Sequence, residues 1–343
     1  MEAENRGPQV TGVTTFFLLL STLTILARCY CRTFVIRGFG LDDWAAIVAW
    51  VFFTLFCSFA YAGVAHGTGQ HAWNIKPASE IPIGLKWWWA CEPMYVLGNM
   101  ALKFSIAIML LRIAASKIHK IIIWATLIVL ELYSGFYFFL FVLQCRPSAY
   151  FWTQYTGGKG TCIDPRITVD ATYGYSAISC GVDWTLAIMP IFIIWNLQMN
   201  SRTKISVALI LAMGATASTA TIVRIPYIQT LEDQADFLYA TTDVAIWSIL
   251  ETGLGITASC LATLRPLFRE FFSRSKLFGG SSSHVITGGR YVRSESIGIE
   301  EIGLRDGCCK NAGTTTTIQS DLAYAPDMDG IRVTHENWVD RNA

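Results

Sequence analysis

Lys103, Glu131, Asp183, Arg224, Asp243 and Glu251 are ionisable side chains inside long apolar stretches of this chain. A charge at membrane depth is costly, so such residues face a bundle interior, pair with one another and mark ligand sites, switches or proton paths. A buried lysine needs a carboxylate beside it or must lose its proton. Lys103 is therefore expected to pair with Glu251 or Asp183, and Arg224 with Asp243. The six together are expected to form an interior polar network. Pairs of this kind can also do no more than fix helix register.

Other chemistries find poor support. His66 and His71 stand near one face, His119 near the other, and His284 and His335 in a polar tail. A catalytic zinc needs three protein ligands and an open position, and this distribution supplies no such set. G-x-S-x-G, H-E-x-x-H and a phosphate-binding glycine loop are absent from the sequence, which removes the common hydrolase and nucleotide signatures. The chain is read as a non-enzyme without a metal. A retinal Schiff base requires a lysine, held in the seventh helix by microbial rhodopsins. No lysine falls between Lys204 and Lys276, so no cofactor is expected. The net charge of +1 offers no bulk attraction for nucleic acid.

The elements that must position these residues are apolar helices. Hydrophobic residues make up 53% of the chain and charged residues 15%, far from soluble averages. Seven apolar stretches run at about 10–30, 44–66, 88–112, 121–143, 172–197, 204–226 and 240–264. A helix of about 20 residues crosses a hydrocarbon core of about 30 Å, and strict strand alternation is missing. The expected fold is an all-α membrane protein: a short outer N-terminus (1–9), a seven-transmembrane helix bundle (10–270) and a disordered cytoplasmic tail (271–343). Glu2, Glu4 and Arg6 do not make the basic start of a cleaved signal. Alternate connections after the first, third, fifth and seventh spans hold twelve Lys and Arg, against seven on the other side. The positive-inside rule then places the N-terminus outside and the C-terminus inside.

Local signals refine this picture. Asp42 and Asp43 open the second span, where a capping aspartate and an acidic first turn suit the positive end of the helix dipole. Trp44 suits the interface, as do Trp73, Trp87, Trp88, Trp89 and Trp124. Pro190 is expected to bend the fifth span. Gly214, Ala217, Ser218 and Ala220 let the sixth approach a neighbour. Cys145 and Cys162 fall in an outer loop where oxidation is permitted. They are the favoured disulfide, with Cys91 as the alternative partner. Cys57, Cys180 and Cys260 read as packing residues, and Cys308 and Cys309 as palmitoylation candidates or plain thiols.

Several landmarks occur in a fixed order: Gly40-Leu41-Asp42-Asp43-Trp44, Lys103-Phe104-Ser105, Leu111-Arg112-Ile113, Cys145-Arg146-Pro147 with Trp152 and Cys162, Asp183 with Pro190, Arg224, and Glu251 followed by Leu264-Arg265-Pro266-Leu267. Over roughly residues 10–270 this set resembles the fungal rhodopsin-domain family of seven-helix integral membrane proteins, described as GPCR-like. The resemblance implies a multi-pass protein of the fungal plasma membrane that senses a small molecule or surface cue. It implies membrane lipids and a heterotrimeric G protein as partners. The third span ends in Leu111-Arg112-Ile113 rather than an acidic-Arg-aromatic triplet, and the seventh lacks Asn-Pro-x-x-Tyr. The alternative is a transporter or permease for a small metabolite, linked to a secondary-metabolite pathway, with mid-membrane acids relaying protons.

Overall fold

The computed structural model describes residues 5–114, 116–195, 219–232 and 236–264. Most of the sixth expected span, with Gly214, Ala217 and Ser218, lies outside them, as do Arg265, Pro266 and the whole tail with Cys308, Cys309, His284 and His335. The long helices are α1 (Gly7–Tyr30), α2 (Leu41–Ala65), α3 (Glu80–Ile113), α4 (Lys117–Val142), α6 (Pro165–Trp195) and α8 (Thr242–Thr263). Short helices α5 (Tyr150–Thr153) and α7 (Phe237–Ala240) lie in connections. Among the described residues, six helices are long and apolar enough to cross a membrane.

Their ends show why hydropathy alone misplaces boundaries. α3 begins eight residues before the expected start at 88, at Glu80. Its first turn, Glu80-Ile81-Pro82-Ile83, tolerates Pro82, because the first amides of a helix have no intrahelical partner. α3 is about 51 Å long at 1.5 Å per residue, more than a bilayer core requires. α6 likewise starts at Pro165, a residue preorganised for a first turn. α1 continues into a π-helical turn, Cys31–Val35. Pro190 sits within α6.

α1 packs along α2 and α8, and α2 along α3. α4 and α6 pack on each other. One apolar cluster joins α1, α2, α3 and α8 through residues such as Phe17, Phe53, Tyr95 and Ile249. A second joins α3, α4 and α6 through Leu110, Ile123, Leu127 and Leu186. Facing outward are Leu23, Leu132, Phe136 and Phe139, all well exposed. An apolar exterior fits lipid, where helices associate by close packing and hydrogen bonds rather than by hydrophobic exclusion. Gly253 illustrates this: a Cβ there would stand 2.7 Å from Cβ of Phe17.

The bundle has two distinct ends. At one, Cys145–Arg146 pairs antiparallel with Thr161–Cys162, and Cys145 is directly opposite Cys162. The two cysteines form a disulfide, and Cys91 is free. The N-terminal segment and the 66–79 connection close over this hairpin end: Arg6 N–H donates to Gly69 O at 2.9 Å, and Gly69 N–H to Leu238 O at 3.1 Å. Gly69 has φ +91°, and a Cβ there would meet Gly7 N at 2.6 Å, so glycine is required. Trp88 is not an interface residue as expected. It is 8% exposed and packs edge-on against Phe237, with ring centroids 4.5 Å apart. The other end carries the α1–α2 turn and the C-termini of α3 and α8.

Candidate functional site

Two polar assemblies stand one above the other along α3. The first lies inside the bundle. Glu92, Tyr95, Asn99 and Lys103 follow a spacing of three, four and four residues along α3, which aligns them on one face. α6 answers with Thr172, Ser176, Ser179 and Asp183, spaced by four, three and four. α8 adds Ser248 and Glu251. Arg224, buried at the end of a helical segment (219–224), joins the three: its guanidinium donates to Ser176 Oγ at 2.9 Å and to Ser248 Oγ at 3.0 Å. It also lies over the Tyr95 ring, 4.9 Å from the centroid, a favourable cation–π contact.

Tyr95 Oη donates to Glu251 Oε2 at 2.9 Å, and Tyr137 Oη to Glu92 Oε1 at 2.9 Å. Deeper in the layer, Lys103 Nζ donates to Ser179 Oγ and pairs with Asp183 Oδ1 at 3.1 Å. Both Asn99 side-chain atoms, Tyr175 Oη, Arg224 Nε and Glu251 Oε1 are buried and find no hydrogen-bond partner among the described residues. Buried polar atoms are rarely left so. The layer therefore has spare donors and acceptors, a property suited to exchanging partners.

The expected pairings are partly realised. Lys103 meets Asp183 and not Glu251, whose partner is Tyr95. Arg224 does not pair with Asp243. Asp243 sits in the first turn of α8, where Arg6 grips it at 2.6 and 2.7 Å. Arg224 reaches Ser248 instead, about 7.5 Å farther along the helix at 1.5 Å per residue. Glu131 is half-buried on α4 with no hydrogen bond at Oε1 among the described residues. His66 pairs with Glu80 and His71 with Asp236, and no metal-type cluster occurs among the described residues.

The second assembly contains a surprise. Asp42 and Asp43 are 0% and 1% exposed, so helix-dipole compensation at an interface does not account for them. The helix N-cap is Gly40, whose N–H donates to Asp43 Oδ2 at 3.0 Å. Arg28 bridges both acids, reaching Asp42 at 3.0 Å and Asp43 at 2.8 Å. Arg32, one turn on, reaches them at 3.0 and 3.3 Å. Arg112, from the last turn of α3, completes the cluster at 2.7 Å from Asp42. Ser105 Oγ donates to Asp42 O at 2.6 Å, and Arg28 reaches Ser259 O of α8 at 3.3 Å. The ends of α1, α2, α3 and α8 are thus tied together. Trp44 is exposed beside this cluster, edge-on to Phe39.

Sequence reasoning counted Arg28 and Arg32 as loop charges and passed over Glu92, Tyr95, Asn99 and Ser248. The signal was present: Arg28 and Arg32 are four apart, and the α3 and α6 polar stripes keep helical period through apolar surroundings.

Two small cavities occupy the hairpin half. One, of about 30 Å³, has Val10, Phe56, Cys91, Glu92, Trp88 and Ser248 among its lining residues. The other, of about 80 Å³, lies under the disulfide hairpin.

A multi-pass helical membrane protein with a buried polar layer and an ionic knot at one end is the class these features define. The model of the fungal rhodopsin domain matches residues 27–270, and the chain belongs to that family. A SAT4 family membrane protein of Emericella nidulans is 31% identical over 62% of this chain and 53% of its own length. The chain thus spans about half of that relative. A polyenoic acids biosynthesis gene cluster protein of Metarhizium anisopliae is 23% identical, covering 95% of this chain and 92% of its own. Fugralins biosynthesis cluster protein 2 of Gibberella zeae is 22% identical, covering 93% and 85%. No solved structure matches.

Proposed function

We propose that this protein is a receptor-like seven-helix protein of the fungal plasma membrane, with its hairpin end outside and its arginine end in the cytoplasm. One observation carries the reading. Glu92 and Ser248 line the cavity of the hairpin half and are also bonded into the polar layer, Ser248 directly to Arg224. A ligand group that reaches into this cavity competes for the same hydrogen bonds that join α3, α6 and α8. Binding shifts a conformational equilibrium only through different affinity for the two states, and a layer with spare donors and acceptors provides that difference. The cytoplasmic partner is a heterotrimeric G protein. The role is binding and signalling rather than catalysis, and it needs no cofactor.

The test is co-purification of the detergent-extracted chain with G-protein α subunits, with and without a GTP analogue. A complex that the analogue dissolves supports the reading. Absence of any complex in the presence of candidate pathway metabolites counts against it.

Transport is the second reading. It is favoured by the acids of the polar layer and by relatives named for biosynthesis clusters, which suggest a pathway metabolite as cargo. Liposome uptake of such a metabolite, lost in Glu251→Gln, would select it.

A further inference from the structure

The larger cavity has a chemistry of its own. It lies between the start of α3, the end of α4, the start of α6 and the disulfide hairpin. At about 80 Å³ it holds the equivalent of about six waters, taking about 10–15 Å³ for each. Trp88, Phe141, Phe151 and Phe237 supply aromatic walls, and no charged side chain lines it. Gln144 does, and it is 8% exposed. Its Oε1 accepts from Thr168 at 3.3 Å, while its Nε2 is buried with no hydrogen-bond partner. A buried amide nitrogen without an acceptor is costly. Gln154 and Thr168 also line it; Gln154 Nε2 donates to Phe151 O at 3.0 Å, which leaves Gln144 Nε2 as an unpartnered donor. A pocket with aromatic walls and a few placed polar groups is the usual form of a small-molecule site.

We propose that this cavity binds a compact, neutral, mostly apolar molecule whose carbonyl or ether oxygen accepts a hydrogen bond from Gln144 Nε2. At about 80 Å³ the cavity is smaller than the roughly 150 Å³ that takes up benzene, so its occupant is smaller than an aromatic ring. The lack of charged lining residues disfavours ions, because an unpaired charge buried there is far more expensive than a neutral group. Trp88 lines both cavities and stands one helical turn from Glu92. A ligand pressed against its indole therefore acts on the entry to the polar layer. That this ligand is the signal rests on the receptor reading; its binding does not.

The experiment uses the full chain in nanodiscs, empty nanodiscs as reference, and fluorine NMR of two probes. One is methyl trifluoroethyl ether, which has the acceptor; the other is trifluorobutane, its near-isostere without one. The unaltered chain is expected to broaden both beyond the lipid reference and to prefer the ether about fivefold, the worth of one net hydrogen bond. Gln144→Leu should erase the preference and keep the hydrocarbon. Val169→Phe, which fills the cavity, should weaken both probes. No binding above the lipid reference, or an ether preference that survives Gln144→Leu, overturns the proposal. The comparison of probes on the unaltered chain decides even where a variant fails to fold. Binding with this pattern that leaves the G-protein complex unchanged retains the site and removes the receptor reading.

Discussion

Asp42→Asn should be among the most damaging single-atom changes in this chain. The Asp42 carboxylate lies 3.0 Å from Arg28, 3.0 Å from Arg32 and 2.7 Å from Arg112. Asp42 and Arg28 have side chains 0% and 1% exposed, so the surviving guanidinium cannot turn to solvent. Removing one member of a buried pair costs about 3–5 kcal/mol, because a buried charge is left uncompensated. Asp43 still serves Arg28, which argues for the lower bound, about 3 kcal/mol. At about 2–4 °C per kcal/mol for a domain of this size, the thermal midpoint falls by about 6–12 °C. Arg112→Ala is the control. Its side chain is 48% exposed, and exposed pairs contribute about 0–1 kcal/mol, or at most about 4 °C. Adding Arg28→Met to Asp42→Asn should recover part of the loss, since the two sites couple. Melting purified variants in one detergent is sufficient. A midpoint for Asp42→Asn within about 3 °C of the unaltered chain, or an equal fall in Arg112→Ala, would refute the argument that burial sets the cost.

The Lys103–Asp183 pair should show the same asymmetry. Lys103 is 3% exposed and Asp183 17%, so Asp183→Asn strands the deeper charge and should cost about 3 kcal/mol. Lys103→Met should cost less, which paired melts will rank. Cys145→Ser opens a bridge spanning 17 residues, worth about 3 kcal/mol in the chain-entropy model. The loss should appear in melts without reductant and vanish when both proteins are reduced. Gly253→Ala collides with Phe17, whereas Gly181→Ala meets nothing within 4 Å. The first should lower stability by about 1–3 kcal/mol through overpacking, and the second should be neutral or stabilising by about 0.5–1 kcal/mol through helix propensity.

Hydropathy made the class and most helices legible, because a membrane imposes one strong requirement on length and apolarity. It failed at helix ends. Glu80–Lys86 is helical, but Glu80, Pro82, Gly84 and Lys86 interrupt its apolar residues, so a hydropathy window does not extend the helix there. Rarity brings Lys103 to Glu251 or Asp183 without choosing between them, and compartment favours Cys145 with Cys162 while leaving Cys91 as the alternative. Arg28 could not be placed so simply. It stands in the last turn of α1 and opens a basic stretch that counts toward the cytoplasmic side, yet its side chain turns inward to Asp42 and Asp43. Asp42 and Asp43 misled for a related reason. An acidic first turn has a sufficient local explanation, so its tertiary partners were invisible. Polar residues without charge, such as Asn99 and Ser248, carry too little cost to stand out singly. Only their shared helical period could have exposed them.

The two polar assemblies differ in how they can change, and α3 connects them. Trp88, Glu92, Tyr95, Lys103 and Arg112 span about 36 Å of this one helix at 1.5 Å per residue. Outside the Lys103–Asp183 ion pair, the interior layer is held by neutral or singly charged hydrogen bonds, which can exchange partners while that pair stays closed. The arginine cluster cannot dissolve cheaply, because Arg28 and both acids are buried. Arg112 is its exception: it is half-exposed, it belongs to α3, and Asp42 keeps Arg28 and Arg32 when Arg112 leaves. A ligand that displaces α3 therefore releases Arg112 first and leaves the rest of the knot intact. On the receptor reading, the Arg112–Asp42 contact is the element whose equilibrium both ends of the bundle bias. On the receptor reading, Arg112→Ala should raise the G-protein complex formed without ligand while leaving the melt almost unchanged. A variant that melts normally and forms no more complex than the unaltered chain would show that Arg112 holds α3 without gating it.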